Sequence, residues 1–480
     1  MEQLQKTLKD SKTARWIALA ITSFTMFTGY LFTEILSPIK GMAETSLGWT
    51  SSDFGFVQSA YGWFNVFFLM LIISGILLDK LGIRFSSLSS AGIMIIGASV
   101  QYWAVRTDFP ADQYIFGTHV QVMYAALGYA IFGVGVEYAG ITVSKVIVKW
   151  FKGKEMALAM GMQVAFARLG SFAALAIAPF IADAFEFSTP FLVGVLLLII
   201  GFMAFVVYNM MDSRLDKQVK AQSTGDEDEF KISDIGLIIT NRGFWYLAIL
   251  CVLFYSAVFP FYKFGPDLMV NKFGISEKFS GLVPSLVPFG TIFLTPFFGS
   301  LYDKKGKGAS IMILGAVLLI FVHIILWLPF MTSIVVAIID VIILGIAFSL
   351  VPSAMWPSVP KIIPEKQLGT AFALIFFIQN WGLMGVPFVL GKVLDATNPD
   401  VLAKVADYRQ QFDAAGLSKE AIAVKLQDLK AIGDIPPYDY SITWLIFVGL
   451  TFLALIFALL LKAEDKKKGY GLQLPNIQDK

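Results

Sequence analysis

Glu137 and Arg168 stand in long apolar runs, one on each side of a short polar turn at 152–153. Each lies 15.5 residues from the midpoint of that turn. If the two runs are antiparallel helices, both charges sit at matching depth, about 20–23 Å along their helices from the turn. A carboxylate and a guanidinium so placed have two uses. They can pair and hold two helices together, which gives little net stability after desolvation. They can also clamp a zwitterion, with Arg168 holding a carboxylate bidentately and Glu137 holding an ammonium. Lys263, in SAVFPFYKFGPDL, and Glu34, before Pro38, form a second set of candidates. They read either as an outer gate between two halves of the molecule or as side chains that snorkel to the interface. Pro260, Gly265 and Pro266 are expected to break the helix that carries Lys263. The neutral candidates are Tyr61, Trp63 and Asn65 in YGWFN, together with the adjacent Gln379 and Asn380. At least one of that last pair should face the interior, lining a pocket or bonding helix to helix. His119 falls at an outer mouth, His323 reads as a packing or lipid-facing residue, and Asp340 has no assigned role. Cys251 is the single cysteine, so no intrachain disulfide forms. No phosphate loop, catalytic residue set or metal-ligand cluster is evident, so neither catalysis nor a cofactor is expected.

Charge inside an apolar run is informative because charge is scarce. Of 480 residues 57% are hydrophobic, 15% are charged, and Phe occurs 44 times. A soluble chain could not hide that apolar surface. The composition excludes a soluble enzyme, a nucleic-acid binder and a disordered regulator, and indicates a multispanning α-helical protein of the lipid bilayer. Twelve spans are expected, near 16–36, 54–78, 85–105, 114–147, 156–185, 189–211, 243–271, 279–301, 309–329, 332–358, 370–392 and 441–461. Lys and Arg set the orientation. Of 37, 25 fall on one side with the termini, four in the opposite short loops, six in a long segment after the eleventh span, and two, Arg168 and Lys263, inside the membrane. Both termini are therefore expected in the cytoplasm.

The polar stretch 212–240 is read as a solvated linker between an N-terminal six-helix bundle, 1–211, and a C-terminal one, 241–480. The insert 395–440, on the outer side, has apolar residues at helical spacing over 400–432 and is read as an amphipathic cap, with a bound partner as a further option. An internal repeat supports two halves. GILLDKLGIR, with Gly75, Asp79, Gly82 and Arg84, matches GSLYDKKGKG, with Gly299, Asp303 and Gly306, at an offset of 224. The glycines suit a tight turn and close helix approach, and the aspartates suit a helix end. At an offset of 212, Arg168 falls on Asn380.

Two six-helix repeats with this loop motif resemble the major facilitator superfamily. That resemblance implies an all-α fold of two pseudo-symmetric bundles around a midplane cavity, with alternating access. VKWFKGKEMALAMGMQVAFARLGS, FVQSAYGWFNV, LLDKLGIR, SAVFPF and MWPSVPKIIPEKQLGTAFALIFFIQNWG further resemble the lysosomal dipeptide uniporter group. This closer resemblance implies uniport of dipeptides; proton coupling stands beside uniport, and a monomer is expected. The family's helix 4 glutamate and helix 5 arginine map onto Glu137 and Arg168. Lys263 and the length of the insert depart from the group. No lysosomal sorting tail is visible, which favours a bacterial inner membrane. Two other readings stand beside it. One is an organic-anion exchanger using Arg168 and Lys263, which Glu137 disfavours by repulsion. The other is a non-transporting sensor or scaffold, for which 212–240 and 395–440 are the only output segments.

Overall fold

The computed structural model describes residues 8–151, 154–219, 232–364 and 367–476. The described chain is helical apart from a two-residue hairpin pairing Tyr114–Ile115 with Thr118–His119. The first half contains α1 (Lys12–Glu34), α2 (Lys40–Leu47), α3 (Ser51–Ser59), α4 (Trp63–Phe67), α5 (Met70–Arg106), α6 (Val120–Phe151), α7 (Met156–Ala184) and α8 (Thr189–Val219). After α9 (Ile232–Ile239), the second half has α10 (Arg242–Phe273), α11 (Leu282–Lys305), α12 (Gly308–Trp327), α13 (Ile334–Ile362) and α14 (Leu368–Thr397). The insert follows as α15 (Pro399–Ala414) and α16 (Lys419–Ala431), and α17 (Ser441–Lys468) is the last crossing. Among the described residues, eleven helices are long and apolar enough to span a bilayer. Large apolar side chains such as Phe293, Leu314 and Ile96 stay exposed on them, as lipid contact requires.

The second crossing differs from its sequence expectation. The single helix expected over 54–78 is broken: α3 ends in a 3₁₀ turn at Ala60–Gly62, and Leu69 has φ 54° between α4 and α5. Its last part fuses with the third span inside α5, which kinks at Gly82 (φ 78°). Conversely, Pro260, Gly265 and Pro266 do not break the seventh span, and α10 runs unbroken through all three. α10 is packed by neighbours on every side, with residues 260–269 all buried, and that packing holds it helical despite the two lost N–H groups.

In the repeated loop motif, Gly82 and Gly306 both have positive φ, the need that glycine meets. Gly75 and Gly299 have nothing within 4 Å of a notional Cβ, so the expected close approach does not occur there. Asp79 accepts from Lys145 Nζ (2.7 Å), and Asp303 accepts from Asn476 Nδ2 (2.7 Å). Arg84 reaches Asp216 (3.0 Å), and Lys149 reaches both Asp212 and Asp216 (2.7 Å each). These carboxylates stand on α8, which continues to Val219, so the boundary read at 211 falls inside a helix. The rest of the polar run, 220–231, lies outside the described residues, as does the turn at 152–153.

The two halves meet at the end opposite the termini. Lys40 pairs with Asp267 (3.0 Å), and Tyr440 also bonds Asp267. Asp395 accepts from the main-chain N–H of Ser51 (3.0 Å) and Ser52 (2.7 Å), so an anion from the second half sits at the positive end of α3. The insert folds as a helical pair whose buried residues, Val401, Val405, Ile422 and Leu426, face inward. It reaches over to α2: Lys430 pairs with the buried Glu44 (2.7 Å), Tyr438 Oη donates to Glu44 (2.5 Å), and Arg409 donates to the carbonyls of Glu44 (2.9 Å) and Thr45 (2.7 Å).

Burial opposes the charge on Lys430, but Glu44 and Glu277 outweigh it, and its pKa is raised above the ordinary 10.5. A raised lysine pKa contributes stability that is complete below the unfolded value and is lost as pH rises through the folded one. The clasp therefore holds at neutral pH and loosens in strongly alkaline solution, and also in acid, where Glu44, its pKa lowered despite burial by Lys430 and Lys40, becomes protonated. Lys430→Met should cost about 3 kcal/mol by stranding Glu44, visible as a lower thermal midpoint. Lys419→Ala, which breaks the exposed pair with Asp108, should cost less than about 1 kcal/mol. Equal midpoints for the two variants would contradict this reading.

Candidate functional site

A cavity lies where α1, α3, α6, α10 and α14 converge. Both halves wall it: Tyr30, Glu34, Gln58, Tyr61, Tyr129 and Glu137 from the first, and Phe259, Lys263 and Gln379 among those from the second.

Glycine brings the first carboxylate to this wall. A Cβ on Gly133 would lie 2.3 Å from the carbonyl oxygen of Tyr61, so only glycine lets α6 run this close to the 3₁₀ turn. One helical turn further along α6, Glu137 accepts a hydrogen bond from Tyr61 Oη (2.9 Å). That bond orients one carboxylate oxygen, Oε1, and the carboxylate stays on the cavity wall.

Arg168 is placed differently from the sequence expectation of a shared cavity. It does not line the cavity, and it forms no ion pair with Glu137. Its guanidinium stacks over two rings of the second half, Phe348 (4.8 Å) and Phe259 (5.4 Å). Phe259 is itself a cavity residue, so Arg168 touches the cavity wall through that ring. A Cβ on Gly170 would lie 2.2 Å from the carbonyl oxygen of Phe27, so glycine again sets the approach, here of α7 to α1. Nη1 of Arg168 is buried without a partner. A cation on aromatic faces keeps its charge while its N–H groups stay available.

Lys263 and Glu34 do not snorkel. They pair at 2.9 Å across the two halves, at 8% and 2% residue exposure. Lys263 also donates to the carbonyl of Thr33 (2.8 Å) and to Tyr129 Oη (3.3 Å), and Ser37 Oγ donates to Glu34 (2.8 Å). The cation therefore has a full set of acceptors.

The neutral candidates separate. Tyr61 and Gln379 line the cavity. Trp63 does not; its Nε1 donates to Ser59 Oγ (3.2 Å) and its ring packs on Phe56. Asn65 is buried, its amide without a partner, away from the cavity lining. Asn380 donates from Nδ2 to the carbonyl of Phe376 (3.0 Å) and acts within its own helix. His323 is fully buried, donates to the carbonyl of Ala257 (2.9 Å) and stacks on Phe447, as a packing residue does. Asp340 is buried with neither oxygen hydrogen-bonded. No cluster of three or more His, Cys, Asp or Glu suited to a metal exists among the described residues. Gln58, Tyr30 and Tyr129 are cavity residues that the sequence did not single out, because a lone polar residue in a span carries no period or pair to mark it.

Comparison with known proteins agrees with this architecture. The lysosomal dipeptide transporter MFSD1 of Bos taurus is 26% identical over 396 residues, covering 79% of this chain and 80% of that protein. The Homo sapiens MFSD1 is 25% identical over 397 residues, with 80% of each covered. A bacterial homolog of the human lysosomal transporter Spinster, in an inward-facing and unoccupied conformation, superposes with a TM-score of 0.67 at 12% identity, covering 98% of this chain and 99% of that one. A peptide transporter POT in complex with alafosfalin gives 0.66 at 13% identity, with 97% and 96% covered. The model of the Major Facilitator Superfamily matches residues 22–387. With its apolar spans, two walled halves and central cavity, the chain belongs to the Major Facilitator Superfamily of membrane transporters.

Proposed function

We propose that the protein moves dipeptides or similar small zwitterions through the Glu137–Arg168 site by alternating access. One observation carries this reading: a carboxylate held on the cavity wall by Tyr61, and an arginine stacked on the wall residue Phe259 whose buried Nη1 has no partner. The first suits an ammonium and the second a carboxylate, and Glu137 and Arg168 do not already satisfy each other. The relatives named as dipeptide transporters support the same ligand class. The organic-anion reading needs Lys263 as a second free cation, and Glu34 neutralises it.

In this proposal the termini and the loops rich in Lys and Arg face the cytoplasm. The contacts at the opposite end, Lys40 with Asp267, Asp395 with α3, and the insert with α2, separate when the halves rock. Lys263 and Glu34 act as an inter-half gate on the cavity wall. Uniport and proton coupling both fit this scheme.

Two tests follow. In the purified protein, a free dipeptide should raise the thermal midpoint, and Arg168→Ala should weaken its binding about 10- to 100-fold, the worth of a charge-assisted pair. N-acetylation of the peptide should weaken binding to wild type but not to Glu137→Gln. Wild-type affinity in Arg168→Ala, or stabilisation by dicarboxylates alone, would overturn the clamp. For the gate, Glu34→Gln and Lys263→Met should each lower the midpoint, since each strands a buried charge. The double variant should recover part of the loss; additive losses would show that the two side chains are not coupled.

A further inference from the structure

One polar group on the cavity wall is used by nothing described so far. Gln58, on α3 one turn before Tyr61, lines the cavity at 2% exposure. Neither its Oε1 nor its Nε2 has a hydrogen-bond partner. Native structures rarely strand both ends of a buried amide, and one that lines a cavity is open to completion by a ligand. In this conformation α3 is packed closely against α14. Gly55, one turn earlier, is pressed on α14, where a Cβ would lie 2.5 Å from the carbonyl oxygen of Pro387 and 3.1 Å from Gly391 Cα.

Gln379, also on the wall, has its Oε1 engaged by Cys251 Sγ (3.6 Å), which leaves its Nε2 to donate. The wall thus offers neutral amide groups in the same cavity as Glu137. Charged ends of a ligand do not call for them. A peptide group does, since it carries one N–H donor and one carbonyl acceptor. A free amino acid has no amide between its charged ends, and a dicarboxylate has no donor.

We propose that Gln58 is a specificity-determining residue that reads the peptide bond of the substrate, its Oε1 accepting the peptide N–H. Gln379 Nε2 donates to the peptide carbonyl. This assignment rests on the zwitterion reading and sharpens it: the ends of the ligand are held by charge, and its class is selected by the amide.

The test compares L-alanyl-L-alanine with its ester isostere, L-alanyl-L-lactate, which keeps both charged ends and replaces only the peptide N–H by oxygen. Dissociation constants are measured on the full-length protein. Wild type should bind the amide about tenfold more tightly than the ester, the effect of one unmet buried acceptor. Gln58→Leu should bind the two within about twofold of each other, near the wild-type ester value, and Gln58→Met serves as a second variant of similar shape. Gln58→Glu, which keeps an acceptor, should retain the preference for the amide. Equal binding of amide and ester by wild type, or an unchanged ratio in Gln58→Leu and Gln58→Met, would overturn the role of Gln58 and leave the dipeptide reading standing. Binding of neither compound by wild type would overturn both.

Discussion

Inside a bilayer there is no water to complete the hydrogen bonds of a charged or polar side chain, and the whole arrangement of this protein follows from that constraint. Lys263 meets it with Glu34, Thr33 and Tyr129. Glu137 meets it with Tyr61, and on its other side with the cavity. Arg168 meets it only in part, because aromatic faces stabilise its charge and leave Nη1 without an acceptor. The groups satisfied within the protein hold the halves together. Those left incomplete beside the cavity, Arg168 and Gln58, are where a ligand would complete them.

Backbone proximity is the second layer of the design. Gly133 admits the main chain of Tyr61, Gly170 admits Phe27, and Gly55 faces Gly391 across the contact between α3 and α14. Helices drawn this close are fixed in depth and rotation, so side chains one turn away are fixed too. An alanine at Gly133 would move Tyr61 from Glu137 without touching either side chain. The same logic explains the broken second span. Its 3₁₀ turn over Ala60–Gly62 is gripped between α6 and α14 through Gly133 and Gly62.

Much of the fold was legible in the sequence because the bilayer writes it in apolar length and in the placement of Lys and Arg. The spans, the repeated glycine–aspartate loop and the helical insert needed no three-dimensional information. Depth counting also singled out Glu137 and Arg168. What it could not show is direction around the helix axis: Arg168 turns onto Phe259 and Phe348 instead of toward Glu137. Helix breaking departs from the sequence expectation in both directions for one reason. Proline effects are local, whereas the packing that keeps α10 helical and divides the second span comes from distant segments. Glu44, Lys40 and Asp267 gave no signal as a network, since the partners that bury them, Lys430, Tyr438 and Tyr440, stand far away in the chain.

The central claim is that one ligand bridges the Glu137 carboxylate and the Arg168 guanidinium. A cryo-EM structure of the protein with L-alanyl-L-alanine tests it most directly. The account predicts ligand density in this cavity, with the ammonium on Glu137 and the carboxylate within hydrogen-bond distance of Arg168 Nη1. Ligand density elsewhere, or a bound peptide that leaves Arg168 stacked on Phe259 and Phe348 with no contact to its carboxylate, would contradict it.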